Sequence, residues 1–210
     1  MRKTYFRLFP TALALLLILT GCEKGIDKKT VWDSITNNIA GKYKITAISN
    51  ACSDRVLDLD GDGVAHSDLM IEFTGLPNGL MNMNSMYTNV TRATPSNRTG
   101  YINLNFPIQG IYVRNGEIIP EWLIGGIAYV RASYTISDDY RIIPEDIKEP
   151  NADSQDIQKP DLNTLSDVHV SFSSDPGMMQ MAISCLLYDF KTGEAEKERI
   201  VFTYERYMME

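Results

Sequence analysis

The chain has 210 residues, with 27 acidic against 20 basic side chains and a formal net charge of −7 at pH 7. This acidic balance argues against nucleic acid as a partner and against anionic headgroups as the main one, because both are bound through lysine and arginine. With two histidines, three cysteines and no Cys-x-x-Cys pair, the chain also has little material for a zinc site.

The N-terminus has the layout of a secretory signal peptide. Arg2, Lys3 and Arg7 form a positively charged head, and residues 8–19 are mostly apolar. A membrane-spanning helix needs about 20 consecutive apolar residues. The run is shorter than that, so it is expected to direct export and not to span a membrane.

The apolar run ends in Leu19-Thr20-Gly21-Cys22, which resembles the lipobox of bacterial lipoproteins. The resemblance implies that residues 1–21 are removed and that Cys22 carries fatty-acyl chains such as palmitate. Several chains anchor a protein durably, whereas one holds it only marginally. Cys22 would therefore tether the protein to a membrane of the cell envelope, with the outer membrane expected and its face left open. Cleavage removes three cations and no acids, so the mature charge is −7 − 3 = −10.

Residues 22–37 are predicted to form a polar tether and the start of a short helix, which Thr30 would cap and Gly41 would follow. After Gly41 the sequence alternates between apolar and polar residues, as half-buried strands do. No helix is predicted beyond this point. The strand-like segments are 43–47, 69–73, 101–106, 111–113, 117–119, 126–136, 168–172, 179–187 and 199–207, with a tight turn at Asn115-Gly116.

One stretch departs from this pattern. Residues 144–167 are rich in Asp, Glu, Asn and Pro, which predicts a long exposed loop. A solvated connection is the favoured interpretation, and a binding loop is the alternative.

The strand pattern predicts one all-β domain over residues 38–210. At least seven strands in about 170 residues suit an antiparallel up-and-down barrel, which leaves no exposed sheet edges. A β-sandwich is the alternative, since its strands have the same pattern. Gly41-Lys42-Tyr43 follows the short helix and resembles the Gly-x-Trp start of lipocalins, with Tyr in place of Trp. That resemblance implies about eight strands around one apolar cavity, and a basic residue, Arg199 or Arg206, packed on Tyr43.

The segment Asp58-Leu-Asp-Gly-Asp-Gly63 matches the first six positions of a calcium-binding loop. Such loops place oxygen ligands at positions one, three and five and glycine at position six. The predicted structural Ca²⁺ ligands are Asp58, Asp60, Asp62, the carbonyl of Val64 and Asp68. Position twelve, which normally supplies the closing carboxylate, is Leu69; Asp68 comes one residue early and Glu72 three late. A plain Asp/Gly turn between strands is the alternative.

Two cysteines remain once Cys22 is lipidated. In an oxidising compartment Cys52 and Cys185 are candidates for a disulfide, which would close a long loop. Equally, both are candidates for buried small residues, and Cys185 lies in an apolar alternation. The sequence leaves these two alternatives open.

The sequence contains no strong catalytic signature. No Gly-x-Ser-x-Gly motif or phosphate-binding glycine loop is present. We therefore expect a non-enzymatic, membrane-anchored binding module for a small apolar ligand or a glycan. The first alternative is an envelope assembly protein that binds a protein partner. The second is a hydrolase that uses two carboxylates.

Overall fold

The computed structural model describes residues 28–52, 54–111, 113–114, 117–118, 124–147, 153–154, 165–175 and 177–208. The predicted signal peptide, Cys22, the turn at Asn115-Gly116 and most of the 144–167 segment lie outside these residues. No helix in the described ranges is long and apolar enough to cross a membrane.

Helices and strands of the described ranges are numbered in chain order. The helices are α1 (Lys28–Ile39), α2 (Leu69–Gly75) and α3 (Gly79–Ser85). The strands are β1 (Gly41–Asn50), β2 (Thr88–Val90), β3 (Thr99–Gly110), β4 (Val113–Arg114), β5 (Glu117–Ile118), β6 (Ile124–Ile136), β7 (Ile142–Pro144), β8 (Asp153–Ser154), β9 (Ser166–Phe172), β10 (Met178–Asp189) and β11 (Glu194–Met208).

The long strands form an antiparallel up-and-down barrel. The order of its strands is β7-β6-β3-β2-β1-β11-β10-β9, so β11, the last strand of the chain, pairs with β1, the first. An isolated bridge between Ile147 and Val168 links the two ends of this order, and the eight-stranded barrel is nearly closed. The predicted barrel is confirmed, and the sandwich alternative is wrong. Kinship with lipocalins stays a prediction.

The barrel interior is filled by side chains from alternate strand positions. Along β10 the buried residues alternate with half-buried or exposed ones, as a strand with one face in the core must. The cavity found between these side chains has a volume of about 10 Å³, roughly the space that one water molecule needs. Side chains of the described residues therefore fill the space where the lipocalin resemblance implied an apolar cavity. The cavity lining includes Phe73, Phe106, Ile183 and Phe202.

Residues 69–73 are part of a helix, so the strand predicted there is wrong, as is the expected lack of helices after Gly41. The side chain of Asp68 caps α2 by accepting a hydrogen bond from the amide of Met70 at 3.0 Å. Leu69, Glu72 and Phe73 are the buried residues of α2, at the i, i+3 and i+4 spacing of one helix face. Seven residues were too few for this spacing to stand out from an apolar strand.

Helix α1 packs across the barrel end at which β1 begins, here called the α1 end. Trp32, Thr36 and Ile39 are its buried residues, and Trp32 Nε1 donates to the carbonyl oxygen of Ala93 at 3.3 Å. The helix begins at Lys28, two residues before the predicted cap at Thr30. The opposite end, here called the loop end, holds the long 51–87 excursion between β1 and β2.

Two short pairings add to the barrel. Strands β4 and β5 form the predicted hairpin, with Val113 opposite Ile118, but they make a separate two-stranded sheet. Strand β8 pairs with β6 through Ala128 and Ser154. The predicted 144–167 loop thus contains a strand that borders the barrel.

Candidate functional site

The acidic loop at the loop end brings three carboxylates together. One oxygen each of Asp58, Asp60 and Glu72 lie within 4.8 Å of one another. Two oxygens bound to one Ca²⁺ at about 2.4 Å lie at most about 4.8 Å apart, so this spacing fits a calcium ion. Two of the predicted ligands are thus in the cluster, and Glu72 takes the place expected for Asp68.

The other predicted ligands are held elsewhere. Asp62 Oδ1 accepts from the amide of Val64 at 2.7 Å, and both residues are exposed. Asp68 is the N-cap of α2. These bonds are local turns and a helix cap, which short acidic side chains form without any metal. The cluster therefore does not include the carboxylates of Asp62 and Asp68, and the Val64 carbonyl stays a predicted ligand.

Backbone amides orient the cluster carboxylates. Asp58 Oδ1 accepts from the amide of Gly61 at 2.8 Å, and its Oδ2 accepts from Gly63 at 3.1 Å. The Asp58 amide itself donates to Asp189 Oδ1 at 3.0 Å, which ties the loop to the end of β10. Gly75 lies so close that a Cβ there would stand 1.8 Å from Asp60 Oδ2. The cluster is therefore held by both the loop and α2.

His66 and Glu72 form the ion pair of this site. His66 Nδ1 lies 2.5 Å from Glu72 Oε1, and Glu72 Oε2 accepts from the amide of Leu59 at 2.6 Å. The hydrogen bond to Glu72 raises the pKa of His66. Burial raises the pKa of Glu72, although its hydrogen bonds to Leu59 and His66 act in the opposite direction. When protonated, His66 is thus the cation that pairs with Glu72 beside the cluster.

The structure separates the two cysteines of the predicted disulfide. Cys52 is an exposed free thiol, and Cys185 is a buried one whose pKa burial raises to about 12. Cys185 lies opposite Glu198 on one side of β11, whereas Cys52 follows Asn50, which pairs with Ile200 on the other side. Two strand spacings make about 9.6 Å, and disulfides need Cα atoms within about 7 Å. The disulfide is not formed, and Cys185 is a buried small residue.

A large open cavity lies at the α1 end, beside α1. It has a volume of about 770 Å³ and is here called the α1 groove. The helix contributes one wall, and the loops after β2 and β6 contribute the other. Cations, carboxylates and aromatic rings share the lining, which includes Lys28, Trp32, Asp33, Arg98, Asp138 and Tyr140.

Two residues of the α1 groove have strained backbones. Arg98 has φ of 49° and Tyr140 has φ of 62°, values that bulky residues seldom adopt. Such strain concentrates at ligand-binding sites, where surrounding contacts maintain it. Here the amide of Tyr140 donates to the Ser137 carbonyl at 3.0 Å, and Arg98 is ion-paired with Asp138. The loops therefore hold both side chains in the lining.

Sequence reasoning missed most of this geometry. In the sequence, Glu72 was recognisable only as a carboxylate three residues after position twelve of the calcium-loop pattern. Its approach to Asp58 depends on α2, which the sequence did not predict. Arg98 and Tyr140 come from separate loops and carry no sequence signal. Comparisons of the chain with protein-family models, with curated proteins and with solved structures found no match in any of the three.

Proposed function

We propose that this chain is a membrane-anchored lipoprotein of the cell envelope that acts as a non-enzymatic binding module, with the α1 groove as its ligand site. The observation that carries this proposal is the difference in volume between two cavities. The barrel interior has a cavity of about 10 Å³, whereas the α1 groove has about 770 Å³. Ligand pockets usually measure about 300–1,000 Å³.

The lining of the α1 groove favours a polar ligand that also has an apolar face, and a glycan fits this description. Tyr140 offers an aromatic ring for stacking on the C–H face of a sugar. Lys28 and Arg98 offer donors for hydroxyl or anionic groups, and Asp33 offers an acceptor. A purely apolar molecule would leave these charged groups without water, which is costly.

The predicted anchor would place the α1 groove near the membrane. Cys22 precedes Lys28 by six residues, and an extended chain spans at most about 3.6 Å per residue, or about 22 Å here. Replacing Cys22 by Ala should release the protein from the membrane fraction and abolish its labelling by radioactive palmitate. Labelling that persists in Cys22→Ala would contradict the anchor.

The ligand proposal is tested on the mature chain, purified without acyl chains. A panel of oligosaccharides and fatty acids is titrated into wild type and into Arg98→Gln. We expect an oligosaccharide to bind and Arg98→Gln to weaken that binding about tenfold, because a charge-assisted hydrogen bond is lost. Lys191→Gln, an exposed change at the loop end, serves as the matched control. An equal effect in both variants, or no binding by the panel, would refute the α1 groove as the site.

An assembly role is the second candidate, and the filled barrel favours it, because a packed interior leaves the exterior as the binding surface. Gentle crosslinking in intact cells tests this role. A crosslinked envelope protein together with no ligand for the α1 groove would favour assembly. A clean monomer would count against it.

We also propose that the cluster of Asp58, Asp60 and Glu72 holds a structural Ca²⁺. Calcium should raise the melting temperature of wild type and of Asp62→Asn, whose carboxylate lies outside the cluster. It should not raise that of Asp60→Asn, which loses a ligand. Equal shifts in the two variants would show that calcium binds elsewhere.

A further inference from the structure

A row of polar side chains crosses four neighbouring strands on the outside of the barrel. Lys42 of β1 pairs with Asn89 of β2, Asn89 pairs with Asn103 of β3, and Asn103 pairs with Arg131 of β6. The residues before and after each of them are buried, so the row points outward. Three strand spacings of about 4.8 Å give the row a length of about 14 Å. We call this row the outer platform.

Two tyrosine rings flank the outer platform, and cations hold them. The Lys42 ammonium lies 4.7 Å from the centre of the Tyr87 ring, and the Arg131 guanidinium lies 4.1 Å from that of Tyr101. Cation–π contacts of this kind restrict both partners. Tyr87 is 43% exposed and Tyr101 is 38% exposed. Each ring is therefore positioned in advance and still open to a ligand.

The two side-chain amides of the outer platform, those of Asn89 and Asn103, are also suited to binding a ligand. Asn103 Oδ1 accepts from the Tyr129 hydroxyl at 2.8 Å, which orients this amide. Asn89 Oδ1 has no hydrogen-bond partner within the described residues, although it is buried. An unsatisfied buried acceptor is costly in a folded protein, and rotation of the Asn89 amide toward the outer surface would let a ligand hydroxyl satisfy it.

The charge of the outer platform differs from that of the whole chain. Lys42 and Arg131 lie within it, and Lys44 lies two residues further along β1, opposite Glu205 of β11. No carboxylate within the described residues forms an ion pair with these three cations. Glu205 offsets the charge of Lys44, so Lys42 and Arg131 are the two cations that the platform offers to an anionic partner.

We infer that the outer platform binds an acidic polysaccharide, that is, a glycan chain with carboxylate or sulfate groups. Tyrosine rings stack on sugar faces, side-chain amides pair with neighbouring hydroxyls, and the two platform cations pair with the acidic groups. The row follows the convex outer surface of the barrel for about 14 Å, a contour that accommodates a few successive sugar units. The site is separate from the α1 groove and does not depend on it.

The experiment measures retention of the mature chain in gels that contain polygalacturonate, alginate, hyaluronate or chondroitin sulfate. Fully methyl-esterified polygalacturonate serves as the uncharged control with the same backbone. We expect retention by at least one acidic polymer, and none by the methyl ester. The double variant Lys42→Gln, Arg131→Gln should weaken retention about tenfold, and Asn103→Ala should weaken it with the platform charges intact.

A matched double variant separates the platform from overall charge. Lys191→Gln, Lys197→Gln removes two exposed cations near the loop end and should leave retention unchanged. Arg98→Gln, which alters the α1 groove, should also leave it unchanged, so the two proposed sites fail independently. Equal losses in the two double variants, equal retention by the methyl ester, or no retention by any of the acidic polymers would overturn the inference.

Discussion

At the scale of single residues, His66 controls the charge balance of the acidic cluster. Its imidazole is half-buried against Glu72, whose carboxylate is almost fully buried. A buried carboxylate without a counter-charge is costly, and the imidazolium supplies that charge. The same position links the pair to pH, because histidine changes its charge near neutrality.

The His66–Glu72 pair predicts how stability depends on pH. The pKa of His66 in the folded protein lies above its ordinary value of 6.5. The stabilisation from this shift is therefore complete below about pH 6.5 and is lost as the pH rises through the raised pKa. We expect the stability advantage of wild type over His66→Gln to shrink over that range. Urea unfolding of both proteins at a series of pH values measures it.

The contrary outcome would be a stability advantage of wild type over His66→Gln that stays constant, or grows, as the pH rises above 6.5. It would mean that the proton on His66 does not stabilise the fold. His169→Gln is a suitable control, because His169 also pairs with a carboxylate, that of Asp146, but at an exposed position. Exposed ion pairs contribute little, so we expect a small effect from this change.

At the scale of elements, α1 is fastened to the barrel from its C-terminal end. Arg206 of β11 donates from Nη1 to the carbonyl oxygens of Asn37 at 2.6 Å and Ala40 at 3.3 Å. Such a cation satisfies carbonyls that a helix end leaves unpaired. Arg206 also lies opposite Tyr43 in the strand pairing. Of the two basic residues suggested by the lipocalin resemblance, Arg206 is the one beside Tyr43.

This contact predicts that Arg206 keeps α1 in place. Hydrogen bonds to charged groups are worth about 1.5–3 kcal/mol, so Arg206→Gln should speed hydrogen exchange of the α1 amides about tenfold or more. Exchange in β3 and β10 should not change. Arg199→Gln, on the same strand but bonded to Asp167 and Ser184, should leave α1 protected. Equal protection of α1 in Arg206→Gln and wild type would contradict this role.

The elements also differ in how well the sequence predicted them. Strands β3, β10 and β11 followed from alternation, because every second side chain enters one continuous core. Helix α2 did not, because seven residues rich in apolar side chains fit a buried strand equally well. The available signal was the N-cap at Asp68, but the same residue also fits the acidic motif that predicts a calcium ligand.

At the scale of the whole molecule, aromatic side chains hold the barrel closed around its centre. Phe202 of β11 lies 5.4 Å from Phe106 of β3 and 6.4 Å from Phe73 of α2, measured between ring centres. These contacts join strands from different parts of the barrel with the helix at the loop end. The interior is thus a single packed core.

The packed core predicts a large effect of Phe202→Ala. Removing a buried phenylalanine costs about 3–5 kcal/mol, because the lost contacts leave a cavity. Urea unfolding measures this loss, and Tyr207→Ala, at an exposed position on the same strand, should cost far less. A fluorescent fatty acid should not enter the wild-type interior. Tight binding of that probe by wild type, or a negligible loss in Phe202→Ala, would mean that the interior is loosely packed.

The sequence by itself determined the class of fold and the expected site of lipid attachment. Alternation is a local property, and it reports which face of a strand meets the core wherever the partner lies. The predicted signal peptide and the predicted lipidation site at Cys22 likewise depend only on consecutive residues, so they are expectations that need no structure. The motif of the proposed calcium loop is local in the same way, and two of its residues, Asp58 and Asp60, lie in the carboxylate cluster.

Only the tertiary structure decided how these parts meet. Glu72 joins the cluster because α2 turns it toward Asp58, and the cysteines stay apart because β11 lies between them. Whether a barrel is hollow depends on the volumes of side chains that meet from opposite walls, and this depends on strand register across the whole chain. The α1 groove and the outer platform arise in the same way, from residues that are distant in sequence and adjacent only after folding.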